Sequence, residues 1–125
     1  MSENRVLIGV RVSIGAGAWL APRLAGRLFG LDPVANPQLP YLARLFGVRD
    51  VALGAGVGLS AGHARRVWLQ LGILCDAADG VAGLLAGRNR EISKLSTALV
   101  TTPALVGIGL GVAGLRATDA PPGDR

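Results

Sequence analysis

The sequence predicts an all-α protein: a four-transmembrane-helix bundle, antiparallel and up-down, with a short interfacial segment between helices 1 and 2. Four apolar stretches are each close to the roughly 20 residues that a helix needs to cross the hydrocarbon core of a bilayer. Half of the residues are hydrophobic and only 17% are charged, against about 25% charged residues in typical globular proteins. The 19 glycines favour membrane helices, in which glycine is frequent because it permits close packing.

The first predicted helix covers residues 6–21 and carries Arg11. A cleaved signal peptide fits less well than a retained helix, because Arg11 interrupts the apolar region and Pro22 follows the only plausible cleavage site. Residues 22–40 are rich in proline and turn-forming residues, which predicts a connecting segment. Within it, residues 23–29 are expected to form a short amphipathic turn in the membrane interface.

The second predicted helix covers residues 41–61, and a polar turn at residues 62–66 joins it to the third, residues 67–86. Because this turn is tight, the second and third helices should be antiparallel neighbours. The fourth predicted helix covers residues 95–115 and contains no ionisable residue. Residues 1–116 thus form one transmembrane domain, and residues 117–125 are predicted to be a disordered tail.

Small residues in three of these helices occur at the spacing that lets helices approach closely. We expect them to lie at helix–helix contacts. They form three G-x-x-x-G pairs: Gly54 with Gly58, Gly83 with Gly87, and Gly107 with Gly111.

Charged side chains inside the predicted spans form the main functional candidate. A charge at membrane depth costs at least about 2.5 to 3.5 kcal/mol on insertion scales, and pairing recovers much of this cost. Three positive and three negative residues balance one another across the spans, with Arg44 close enough to a helix end to reach the surface. The remaining five are predicted to form one polar cluster: Arg11, Arg49, Asp50, Asp76 and Asp79.

Matched depth predicts the pairing within this polar cluster. Asp76 and Asp79 are three residues apart and share a helix face. Arg49 lies at a similar depth on the antiparallel neighbour, so it should pair with one or both of them through its planar fork of donors. Arg11 is shallower, but its long side chain could reach Asp50 or the same cluster. Two interpretations stay open, in which the cluster either only fixes helix assembly or also lines a cavity for a ligand.

Several other functions find no support in the residues. The net charge is +5, but the basic residues are scattered, so we predict no nucleic-acid partner. Cys75 is the single cysteine and His63 the single histidine, so a cysteine cluster, a histidine-ligated metal and a Ser-His-Asp triad are not expected. We predict no metal, no cofactor and no catalytic residue.

One short motif points to an enzyme as the alternative. Asp76-x-x-Asp79-Gly80-x-x-Gly83 resembles the first half of the D-x-x-D-G-x-x-A-R signature of CDP-alcohol phosphotransferases. That resemblance implies a divalent metal held by acidic residues on membrane helices. Here Gly83 and Leu84 replace the alanine and arginine, and no second acidic pair follows to complete a set of oxygen ligands.

The whole pattern resembles small four-helix bacterial integral membrane proteins of the DoxX type, families that carry no established activity. The residues that resemble them are Arg44–Asp50, followed by Leu53-Gly54, and Asp76-x-x-Asp79 on the next helix. The resemblance implies a multi-pass protein of the cytoplasmic membrane, whose partners are the bilayer and either further copies or a larger membrane complex. The expected function is non-enzymatic: helix assembly around the cluster, small-ligand or lipid binding, or an accessory-subunit role.

Overall fold

The protein folds as five α-helices in a computed structural model that describes residues 2–121 and 123. No strand occurs among these residues, and the all-α prediction is confirmed. The helices are α1 (Ser2–Leu20), α2 (Pro22–Leu28), α3 (Leu39–Leu59), α4 (Gly62–Arg88) and α5 (Lys94–Asp119).

Helix α1 packs along α3 in an antiparallel pair held together by facing glycines. A methyl group added at Gly15 would lie 2.5 Å from the carbonyl oxygen of Gly47, and one added at Gly47 would lie equally close to the carbonyl oxygen of Gly15. Further along the same pair, Gly54 lies against Arg11 and Gly58 lies against Ile8. The two backbones can come this close because no side chain separates them.

Helices α4 and α5 form the second antiparallel pair, and glycines again line the contact. Gly87 lies against Thr97, Gly83 against Val100, and Gly111 against Ile73. All three predicted G-x-x-x-G pairs therefore lie at helix–helix contacts, as expected. Contacts between the α1–α3 pair and the α4–α5 pair also occur, between α3 and α4 and between α1 and α5.

The segment between α1 and α3 is partly helical and is attached to α5. α2 ends at Leu28, and Gly30 follows with a φ of +75°, a conformation that glycine adopts at little cost. The hydroxyl of Ser96 donates a hydrogen bond to the carbonyl of Gly30 at 3.0 Å. Ser93 caps α5 by accepting a hydrogen bond from the backbone N–H of Ser96 at 3.0 Å. The predicted amphipathic turn at 23–29 is thus a short helix, and the segment that follows it is fixed to the start of α5.

Two helix boundaries differ from the sequence prediction. The predicted polar turn at 62–66 is wrong, because α4 begins at Gly62 and only Ser60 and Ala61 separate it from α3. No proline interrupts residues 62–66, so this polar segment is helical and lengthens α4 by a turn at its start. α5 continues to Asp119 and so includes the start of the predicted disordered tail. There, Arg66 of α4 forms an ion pair with Asp119. Residues 122, 124 and 125 lie outside the described part.

Two of the four long helices, α4 and α5, are long and apolar enough to cross a membrane by length and composition. The sequence prediction of four such helices finds no support in α1 and α3, because each carries three charged residues. They are Glu3, Arg5 and Arg11 in α1, and Arg44, Arg49 and Asp50 in α3.

The apolar side chains lie mainly on the outside of the molecule. The buried hydrophobic core is small and centres on Leu7, Val57 and Leu69, while large apolar side chains on all four long helices are exposed. Examples are Val6 at 51%, Leu45 at 46%, Leu74 at 65% and Leu105 at 61% exposure. In contrast, Arg11, Asp50 and Asp76 are among the most buried residues that the structure describes.

Candidate functional site

Arg11 connects three helices through the two terminal nitrogens of its guanidinium group. Nη1 donates to Oδ1 of Asp50 on α3 at 3.2 Å and to Oδ1 of Asp76 on α4 at 3.3 Å. Nη2 donates to Oδ2 of Asp76 at 2.6 Å. All three residues are only 5% exposed. Arg11 therefore lies at the centre of the cluster, which its shallower depth in the sequence did not indicate.

Arg49 forms the second ion pair and makes it with Asp79. Its Nη1 and Nη2 donate to Oδ1 and Oδ2 of Asp79 at 3.0 and 2.5 Å, the two-pronged geometry that arginine and carboxylate favour. The guanidinium carbon lies 4.9 Å from the ring centre of Phe46. The predicted pairing of Arg49 is therefore present, with Asp79 as the partner. About a third of each side chain is exposed, at 34% and 32%.

The two ion pairs adjoin each other through Asp50. Nη2 of Arg49 lies 3.8 Å from Oδ1 of Asp50, the oxygen that also accepts from Arg11. The structure therefore brings all five predicted cluster residues into one connected group spread over α1, α3 and α4.

Two glycines make room for these side chains. A methyl group added at Gly72 of α4 would lie 2.9 Å from Nη2 of Arg11. One added at Gly107 of α5 would collide with the carboxylate of Asp76. Neither position stands out in the sequence as part of a polar site, because glycines are frequent throughout the chain.

The charge of the cluster is not balanced, because the third arginine of the predicted spans does not belong to it. Arg44 lies apart from it, is exposed, and donates through Nε to the backbone carbonyl of Trp19 at 3.2 Å. Two guanidinium groups and three carboxylates remain, so the cluster carries one net negative charge when all five groups are ionised.

A crevice of about 580 Å³ runs alongside the cluster, within the range of about 300 to 1,000 Å³ typical of small-molecule sites. Its wall is overwhelmingly apolar and includes side chains from all five helices, with the aromatic rings of Phe29 and Phe46 among them. Its charged lining residues are Arg11, Asp50, Asp76 and Asp79. The crevice could not be found from the sequence, because its lining residues have the same apolar character as residues that face lipid.

The carboxylates of the D-x-x-D motif are engaged by arginine. Asp76 binds Arg11 and Asp79 binds Arg49. An arginine is therefore already paired with each carboxylate that a divalent metal would need as a ligand. The described residues contain no group of three or more His, Cys, Asp or Glu side chains placed to hold a metal ion.

Comparisons with protein-family models, with curated proteins and with solved structures gave no match. The geometry of the cluster and its crevice therefore carries the functional argument.

Proposed function

We propose that this protein is a multi-pass integral membrane protein of the cytoplasmic membrane that binds a lipid or another small amphiphilic molecule in the crevice, without catalysing its conversion. The observation that carries the proposal is the crevice itself. Its long apolar wall suits a hydrocarbon body, and its four charged lining residues suit a polar head. A cluster that served helix assembly alone would need no cavity beside it.

The outward-facing side chains support a membrane location for all four long helices. Monomeric soluble proteins rarely expose apolar patches larger than a few hundred Å², yet α1 and α3 expose large apolar residues as α4 and α5 do. Two of the charges that set α1 and α3 apart lie inside the bundle. Arg11 and Asp50 are buried in ion pairs, and internal pairing is how ionisable residues are tolerated at membrane depth.

The five charged residues also support the assembly role predicted for them, since their ion pairs join α1, α3 and α4. Assembly and ligand binding are compatible here, because the same side chains that hold the helices also form part of the crevice wall. The enzyme alternative gains no support, because the arginines occupy the carboxylates that its metal would require.

Filling the crevice tests the proposal. Ala82 lines it, whereas Ala78 lies on the same helix, is exposed and does not line it. We expect Ala82→Phe to reduce the lipid or small molecule that co-purifies with the protein in mild detergent, measured by native mass spectrometry. Ala78→Phe should leave this unchanged. Equal retention by both variants, with both folded, would contradict ligand binding in the crevice.

A further inference from the structure

We infer that the head group of the molecule bound in the crevice is a cation, with a primary ammonium as the simplest case. This inference rests on the proposed function and specifies the ligand of the same site. It follows from three carboxylates and one guanidinium group lying together on the wall of an otherwise apolar crevice.

The lining residues give the crevice an excess of negative charge. Asp50, Asp76 and Asp79 line it, but only one arginine, Arg11, does so. Arg49 does not line the crevice and faces the ring of Phe46. A head group in the crevice therefore meets a wall with more negative than positive charge, and even the complete cluster has one carboxylate in excess.

Asp50 has a carboxylate oxygen that can still accept a hydrogen bond. Asp50 is only 5% exposed, and its single hydrogen bond from the described residues goes to Oδ1. Its second oxygen, Oδ2, accepts no hydrogen bond from them. Oδ2 is not one of the fully buried side-chain atoms that lack a hydrogen-bond partner, so it remains accessible, and an ammonium group in the crevice would supply both a donor for it and the missing positive charge.

An anionic head group is disfavoured. Arg11 is the only positively charged lining residue in the described part of the chain, and both of its terminal nitrogens already donate to carboxylates. An anion such as a fatty-acid carboxylate would compete with these carboxylates for Arg11 and would face three negative side chains. Like charges brought together in a medium of low dielectric constant repel strongly.

The crevice is long enough for the hydrocarbon body of a ligand. Along α4, the crevice lining runs from Asp76 to Ala86, which is about 15 Å at 1.5 Å per residue. Between these positions the wall from other helices includes Phe46 and Val100. This length accommodates an unbranched hydrocarbon chain extending away from the carboxylates.

Three molecules that share one chain test the inference: decylamine, decanol and decanoate. Decylamine is cationic at neutral pH, as a lysine side chain is. Binding is measured by titration calorimetry on the full-length protein in phosphatidylcholine nanodiscs, with empty nanodiscs subtracted. We expect decylamine to bind at least about tenfold more tightly than decanol, since the hydroxyl of decanol can also donate to a carboxylate but only the ammonium adds a positive charge to that bond. Decanoate should bind most weakly.

The outcomes separate this inference from the proposed function. Saturable binding of decylamine and decanol with equal affinity, or tightest binding of decanoate, would overturn the cationic head group and leave the crevice as a ligand site. No saturable binding of any of the three would overturn the proposed function and this inference with it.

A charge-neutralising variant locates the effect. Asp50→Asn keeps the size of the side chain and an oxygen for Arg11, but removes the excess negative charge. We expect the preference for decylamine over decanol to disappear in Asp50→Asn and to persist in Asp32→Asn, an exposed acid that does not line the crevice. If Asp50→Asn does not fold, Asp79→Asn makes the same change in charge on a partly exposed residue. An unchanged preference in the variant that folds would overturn the inference.

Discussion

Arg11 donates to carboxylates on two other helices, so removing it leaves two buried negative charges without their main partner. Breaking a buried pair by deleting one member is more damaging than the net contribution of the pair suggests, because the remaining charge stays desolvated. Arg49 is less buried and serves chiefly one carboxylate. The two arginines that appear equivalent in the sequence therefore differ in their importance for folding.

We expect Arg11→Leu to lower the free energy of unfolding by about 3 to 5 kcal/mol. Arg11→Lys should be intermediate, because an ammonium group lacks the planar fork that serves two carboxylates. The matched control is Arg44→Leu, which removes an exposed arginine with one hydrogen bond to a backbone carbonyl, and should cost about 1 kcal/mol or less. Unfolding in mixed micelles, followed by circular dichroism, measures all three. A loss in Arg11→Leu no larger than in Arg44→Leu would contradict the central position of Arg11.

The pairing of α1 with α3 depends on two backbones meeting where both helices carry glycine. At Gly15 an added methyl group would press on backbone atoms of α3 and on the side chain of Val51. Backbone atoms cannot rotate away as a flexible side chain can, so the helices themselves would have to separate. Gly17 lies two residues further on, with nothing within 4 Å of an added methyl group.

Gly15→Ala should therefore destabilise the protein by about 1 to 3 kcal/mol, the usual cost of overpacking. Gly17→Ala in the same helix should be neutral, or stabilising by up to about 1 kcal/mol through helix propensity. Thermal unfolding in detergent compares the two variants. If they behaved alike, the close approach of α1 and α3 would not be what holds this pair.

The molecule as a whole exposes large apolar side chains and buries Arg11, Asp50 and Asp76 in ion pairs, the reverse of a water-soluble bundle. Only α4 and α5 meet the length and composition of a membrane span, but α1 contacts α5 and α3 contacts α4 in the same bundle. Once α4 and α5 cross a bilayer, the ion pairs from Arg11 and Arg49 hold α1 and α3 at the same depth.

Cysteine labelling from the two sides of the membrane checks this arrangement. In a Cys75→Ala background, we expect His63→Cys, in the first turn of α4, and Asn89→Cys, just after its end, to react from opposite sides. Val34→Cys lies in the segment before α3 and should react from the same side as Asn89→Cys. All three positions are exposed. Reaction of Val34→Cys from the side of His63→Cys would show that α3 does not cross.

The sequence was sufficient to predict an all-α protein with four long helices and the five charged residues that the structure joins, because apolar stretches and charges within them are local patterns. Depth and a shared helix face predicted that Arg49 pairs with Asp76, Asp79 or both, and the structure selects Asp79. The place of Arg11 could not be predicted in this way, since it depends on how each helix is rotated about its axis. The crevice depends on the same rotations and on how far the two helix pairs stand apart.

Ser60 and Ala61 alone connect the α1–α3 part of the chain to the α4–α5 part. The first part contributes Arg11 and Arg49, and the second contributes Asp76 and Asp79, so each carries the charges that the other needs. Divided at this link, the protein becomes two chains joined by the ion pairs of Arg11 with Asp76 and of Arg49 with Asp79. Residues 1–60 and 61–125, co-expressed as separate chains with a tag on one, should co-purify from the membrane. Asp76→Asn with Asp79→Asn in the second chain should reduce that recovery severalfold, and unchanged recovery would mean that apolar packing alone joins the two chains.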